Sequence, residues 1–179
     1  MKKNLFSFML ATMVVLTMSS CEELLDVTET FIHTEEFQVA GNDLEYFSTR
    51  VVDLAADEDL IADYGDKIKE IQIQKIRYWV KAHSGSAEQA LTSGALSVAN
   101  ADGTDMIQMT SLSNQVLQSL IDNPQELPLN QPGIDKFGDL AKNPPHRFML
   151  QAEATHNEVP LNYTVVFELT IKMVANPLN

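Results

Sequence analysis

The sequence predicts a mainly β domain, a two-layer β-sandwich of Ig-like or Greek-key type with two short helices. Three observations carry this. Tyr163, Val165, Phe167, Leu169, Ile171 and Met173 are six consecutive odd positions, all apolar or aromatic; a period of two over that length is a strand signature. Turn signals recur between such runs, as at Gly41-Asn42-Asp43 and Asp102-Gly103, where glycine and short polar side chains favour reversal. The helical periods are few and brief, which places helices at an end or on a face of stacked sheets. A second architecture fits the same pattern: an α+β layer with both helices on one face of an antiparallel sheet.

Taken in order, Val27, Phe31, Phe37 and Val39 share one parity, as a strand with one buried side requires. The segment 48–55 offers a short strand. In 57–66, acids open a helical turn, Leu60 and Tyr64 lie one turn apart, and Gly65 stops it. Ile71 and Ile73 then share a parity that Ile76, Tyr78 and Val80 reverse, so a β-bulge is expected at Gln74 and Lys75. Residues 94–111 read as a hairpin turning at Ala101-Asp102-Gly103-Thr104. Leu112, Val116, Leu120 and Ile121 fall at helical spacing, with Ser111 as cap and Pro124 as stop, which predicts the first helix. Pro124, Pro128 and Pro132 lead to the second, marked by Ile134, Phe137, Leu140 and Ala141 and ended by Asn143-Pro144-Pro145. Finally, Phe148, Leu150, Ala152 and Ala154 alternate, His156-Asn157-Glu158 turns, and the odd-position run follows. The expectation is one long β-hairpin.

The N-terminus carries different information. Lys2 and Lys3 precede an apolar stretch from Leu5 to Met18 that ends in Ser19, Ser20 and the single cysteine, Cys21. A basic start, a short apolar centre and a small-residue exit mark a cleaved signal peptide, residues 1–20. Met18-Ser19-Ser20-Cys21 resembles a bacterial lipobox, with Met18 where Leu is usual, and the resemblance implies that Cys21 carries a diacylglycerol. Two or more acyl chains hold a protein stably, since each buried methylene contributes about 0.8 kcal/mol. Residues 21–26 form a short tether, and residues 27–179 form one domain.

Together with Glu22-Glu23, the segment "DYGDKIKEIQI" and the ending "FELTIKMVANPL", the lipobox resembles uncharacterised lipoproteins of Bacteroidota. That resemblance implies an outer-membrane protein, facing either the periplasm or the surface, and brings no catalytic residues with it.

The formal charge is -13, and removing residues 1–20, with two lysines and no acid, lowers it to -15. Such a surface repels nucleic acid. With its one cysteine lipidated, the chain has no disulfide, so the core alone holds the fold.

Candidate sites are few. Asp53, Asp57, Glu58, Asp59, Asp63 and Asp66 form the densest acidic segment, but they lack the alternating spacing of a calcium loop and read as a solvated helical turn. Asn100, Asp102 and Asp105 surround Gly103 and offer oxygen ligands for calcium, while Asp-Gly alone already explains a tight turn. His33, His83, His146 and His156 have no zinc spacing and read as surface residues. Trp79, flanked by Arg77 and Lys81, has opposite parity to Tyr78. On an open face these three make an aromatic platform for sugar or protein; under a helix, Trp79 is core. No nucleophile elbow occurs, no feature selects a hydrolase's pair of carboxylates, and no cofactor is predicted. The expected function is non-enzymatic binding of a protein or glycan. The alternative is a structural subunit assembling by strand addition, and a small hydrolase ranks third.

Overall fold

The structure, a computed structural model, describes residues 25–178. Cys21, the signal peptide and most of the tether therefore lie outside the described residues. The elements are β1 (Val27–Gly41), β2 (Glu45–Asp53), α1 (Leu54–Asp57), α2 (Asp59–Tyr64), β3 (Ile68–Lys81), β4 (Ala90–Asn100), β5 (Ile107–Val116), β6 (Gln125–Glu126), α3 (Gln131–Lys142), β7 (Arg147–His156) and β8 (Leu161–Ala175).

Two four-stranded sheets form, one ordered β1-β8-β3-β6 and the other β2-β7-β4-β5, with every strand pair antiparallel. The fold is a two-layer β-sandwich. Its first and last strands are neighbours and the chain repeatedly changes sheet, so the Greek keys interleave as in a jelly roll rather than in the Ig order.

The first sheet follows from period two. Phe31, Phe37 and Val39 of β1, and the odd positions 161 to 175 of β8, are buried and aligned, with Phe31 opposite Ile171 and Phe37 opposite Val165. On β3 the register shifts between Ile73 and Lys75. This is the expected bulge: it lets Ile71 and Ile73 share the core face with Ile76, Tyr78 and Val80 despite their change of parity.

Two expectations are overturned. Residues 111–116 are strand, followed by a 3₁₀ turn at Leu117–Leu120. Pairing with β4, where Gly94 faces Leu112 and Ala90 faces Val116, overrides the helical spacing. Leu117 and Leu120 instead reach the core at the three-residue spacing of a 3₁₀ turn. Nor do β7 and β8 form a hairpin: β7 pairs with β2 and β4, while β8 pairs with β1 and β3. The turn after His156 moves the chain between sheets. The apolar faces of β7 and β8 lie in opposite sheets and cover each other across the core.

Helix α3 forms where expected and closes one end of the sandwich. Phe137 is fully buried and meets the Phe148 ring edge-on, centroids 4.8 Å apart. The helix can approach because Gly133 and Gly138 lack side chains. A Cβ on Gly133 would fall 2.2 Å from the Gln108 carbonyl oxygen, and one on Gly138 would fall 2.6 Å from that of Ile71. At the other end, Gln89 donates to the carbonyls of Glu158 (3.1 Å) and Pro160 (3.0 Å).

Candidate functional site

The sequence-predicted positions separate in the fold. Trp79 is half-buried on the outer face of the β1-β8-β3-β6 sheet, in register with Val166, which in turn faces Glu36. Val166 is completely buried although it points outward, so Trp79 and its neighbours shield it. Arg77 is held by Glu168, with Nε donating at 2.9 Å, and Lys81 is held by Glu36 across the width of β8. Both cations of the platform are thus already paired.

The 100–105 turn is bound internally. Asp102 accepts from the Thr104 hydroxyl (2.6 Å) and amide (3.0 Å), which holds its carboxyl below the usual carboxylate range. Asn100 donates to Asp105 at 3.0 Å and accepts from the Lys136 ammonium at 2.8 Å. A cationic side chain therefore occupies the turn's amide oxygen. Among the described residues no group of three or more His, Cys, Asp or Glu side chains is placed to hold a metal ion.

The acidic segment disperses. Asp53 caps α1 by accepting from the Ala56 amide and lies 3.5 Å from Arg147, while Glu58 turns inward. Asp59, Asp63 and Asp66 span α2 and the turn after it.

The histidines correct the surface reading: His33, His146 and His156 are buried. His146 Nδ1 donates to the Ala141 carbonyl at 2.8 Å and ties β7 to α3. His156 Nδ1 donates to the Leu44 carbonyl at 2.9 Å, and its Nε2 accepts from the Tyr163 hydroxyl at 2.6 Å. Burial lowers the His156 pKa and raises that of Tyr163. His83 meets Gln89 at 2.9 Å.

The constellation that the fold assembles is a different one. His33 and Glu35 occupy core-facing positions of β1, the sheet's edge strand, opposite Leu169 and Phe167. His33 Nε2 lies 3.1 Å from Glu35 and Nδ1 lies 2.9 Å from Glu58, at the junction of α1 and α2. Arg50 of β2 donates to the other Glu35 oxygen at 2.9 Å, with its guanidinium 5.8 Å from the centre of the Phe37 ring. Burial opposes the charge on both His33 and Glu35, but their mutual contact, together with Glu58 and Arg50, outweighs it. The net result is a raised His33 pKa and a lowered Glu35 pKa.

These side chains, with Thr34, Val51 and Asp57, line an open cleft of about 470 Å³ between the β1 and β2 edges. One signal for it was present in the sequence. His33 and Glu35 share the parity of Phe31, Phe37 and Val39, so two polar residues stood on a face that had to be buried. The partners Arg50 and Glu58 had no comparable signal.

No protein-family model matches the chain, and no curated protein matches it. Solved structures with some likeness include one of Desmodium yellow mottle tymovirus (13% identity over 83% of this chain and 89% of that one, TM-score 0.34). Another is of Turnip yellow mosaic virus (11% identity, 82% and 93% covered, TM-score 0.37). A third is the decameric BFDV capsid protein (10% identity, 83% and 99% covered, TM-score 0.40). Likeness at this level carries nothing about activity or partners.

Proposed function

We propose that this chain is a lipid-anchored envelope protein whose β-sandwich acts as a non-enzymatic interaction module, receiving a strand of a protein partner along β1. The observation that carries the reading is the edge itself. β1 runs for fifteen residues against β8 without a register shift. Within Val27–Gly41 there is no proline, lysine or arginine and no bulge, which are among the devices that blunt a sheet edge; the inward-pointing Glu35 is one such device that it does carry. Its outward face presents Thr28, Thr30, Ile32 and Thr34, all exposed, a β-branched series suited to cross-strand pairing. Among the described residues, no backbone hydrogen bond from outside the β8 ladder reaches 27–41; the Tyr46 hydroxyl takes one acceptor, the Gln38 carbonyl.

The opposite edge of the same sheet is treated differently. There β6 pairs with β3, and the amides of Asp122 and Leu127 donate to the carbonyls of Val80 and Ile76. A formal charge of -13 disfavours a second copy as the added strand and favours a less acidic or basic partner. The cleft offers no separate reactive group, since His33, Glu35, Glu58 and Arg50 are engaged with one another. The anchor reading rests on Cys21 and the apolar run before it. Among the described residues no helix is long and apolar enough to cross a membrane.

A photo-crosslinking side chain at Ile32, in intact cells, tests the edge. The expected result is a discrete adduct that Thr30→Pro abolishes. Adducts from Phe47 on the other sheet's outer face, with none from Ile32, overturn the reading. Cys21→Ser tests the anchor: the protein should leave the membrane fraction, and retention with unchanged processing refutes lipid attachment.

A further inference from the structure

The His33 contacts raise a question of proton count. Both ring nitrogens lie within hydrogen-bonding distance of carboxylates, Glu35 at 3.1 Å and Glu58 at 2.9 Å. A carboxylate only accepts, and a neutral imidazole carries a single N–H. The arrangement therefore holds one proton more than neutral histidine and two ionised acids supply. Little of His33 and Glu35 reaches water, with side-chain exposures of 6% each, whereas Glu58 is 22% exposed on the cleft side.

We propose that His33 is a proton-operated fastener, which as an imidazolium ties β1 to the α1–α2 junction through Glu58 and on deprotonation lets that junction go.

The asymmetry of the two carboxylates decides which bond is lost. Glu35 sits two residues away on the same strand and is independently held by Arg50 at 2.9 Å, so it keeps the one remaining N–H. Glu58 has His33 as its side-chain partner in the cleft, and α1 and α2 on either side are four and six residues long. Helices that short have little stability of their own. Leu54 and Ile61 remain fully buried and keep the segment docked at both ends, so the motion is confined to the junction between them. Losing the proton also makes the cleft more negative. The charged groups facing His33 are Glu35 from its own strand, Arg50 from β2, and Asp57 and Glu58 from the α1–α2 segment. β8 contributes the apolar Leu169 opposite it. The raised His33 pKa is consistent with this geometry.

The test uses the full chain in detergent micelles, with two readouts. Proton–carbon NMR of the histidine rings follows His33 titration, and amide exchange follows residues 54–64 at about pH 5.5 and pH 8.5, either side of histidine's ordinary pKa. The expected result is a His33 midpoint above that of an unperturbed histidine. Protection factors at 58–62 should fall several-fold at the higher pH while those of β8 stay constant. Glu58→Gln should lower the His33 midpoint and make exchange at 58–62 independent of pH. A wild-type His33 that titrates at or below the ordinary value overturns the proposal. So does protection at 58–62 that is unchanged between the two pH values, or a midpoint that Glu58→Gln leaves in place. The wild-type titration decides the matter even if the variant folds poorly, and neither readout depends on strand addition along β1.

Discussion

His33 and His156 face the same core from opposite sheets, both buried, yet their surroundings push them in opposite directions. His156 is matched as a neutral ring: Nδ1–H donates to a carbonyl and Nε2 accepts from Tyr163. Burial then dominates and lowers its pKa. His33 is matched only as a cation, because acids flank both nitrogens, and its pKa rises in spite of burial. Burial alone does not decide a histidine's charge; the donor or acceptor character of its two neighbours does.

Substitutions at the two sites sharpen this contrast. Glu35→Ala should have the largest effect, because it strips the Arg50 guanidinium of its carboxylate and leaves the buried His33 ring with Glu58 alone. Removing one partner of a buried ion pair costs about 3–5 kcal/mol. Half of the Arg50 side chain is exposed and can turn to water (52%), which sets the expectation at about 3 kcal/mol, read as a lowered urea midpoint. Tyr163→Phe at the other site removes one hydroxyl and leaves His156 Nε2 buried without a donor, at a cost of about 1–3 kcal/mol in the same assay.

The pH dependence of stability should then separate the two rings. A raised native pKa means that the folded state binds more protons, so the His33 contribution is complete below the ordinary histidine value of 6.5 and is lost as pH rises through the native pKa. A lowered native pKa gives the reverse, so the His156 contribution is present above 6.5 and is lost as pH falls below that value. Glu35 adds an acid limit, since its contribution is present above 4.5 and disappears as pH falls through its lowered native pKa. Urea midpoints across pH should therefore show Glu58→Gln flattening the alkaline decline and His156→Gln flattening the decline just below 6.5. If both variants change the same limb, the two rings do not differ as described.

The smallest effect is expected from Arg77→Gln beside Trp79. With Arg77 40% exposed and Glu168 14% exposed, a surface pair of this kind is worth about 1 kcal/mol or less. A larger loss would mean that the outer face of this sheet carries more of the fold than its exposure implies.

How legible the fold was depended on the reach of each signal. The alternation in β1 and β8, the bulge near Gln74, the 101–104 turn and helix α3 were all readable from residues a few positions apart. Leu112 to Ile121 misled because an apolar spacing of four, four and one satisfies a helix as well as a strand end running into a 3₁₀ turn. Only pairing with β4 distinguishes them. The supposed β7–β8 hairpin failed for a related reason: two alternating runs joined by a turn look alike whether they pair with each other or face each other across a core. Of the candidate site, the polar residues His33 and Glu35 were visible as exceptions on a buried face, whereas Arg50 and Glu58, 15 and 25 residues away from their partners, were not.

By itself, then, the order of residues determined which of the longer alternating segments are strands, which face of most of them avoids water, and that a basic start and an apolar stretch come before the single cysteine. Side-chain parity and hydrophobicity act over a few residues, and such properties need no partner to be read. Only the tertiary structure decided which sheet each strand joins, that β1 is left as an open edge, and that Arg50 and Glu58 from separate segments converge on the His33–Glu35 pair. Those outcomes depend on contacts between residues far apart in the chain, where the interaction free energy depends on both partners and on the geometry that brings them together.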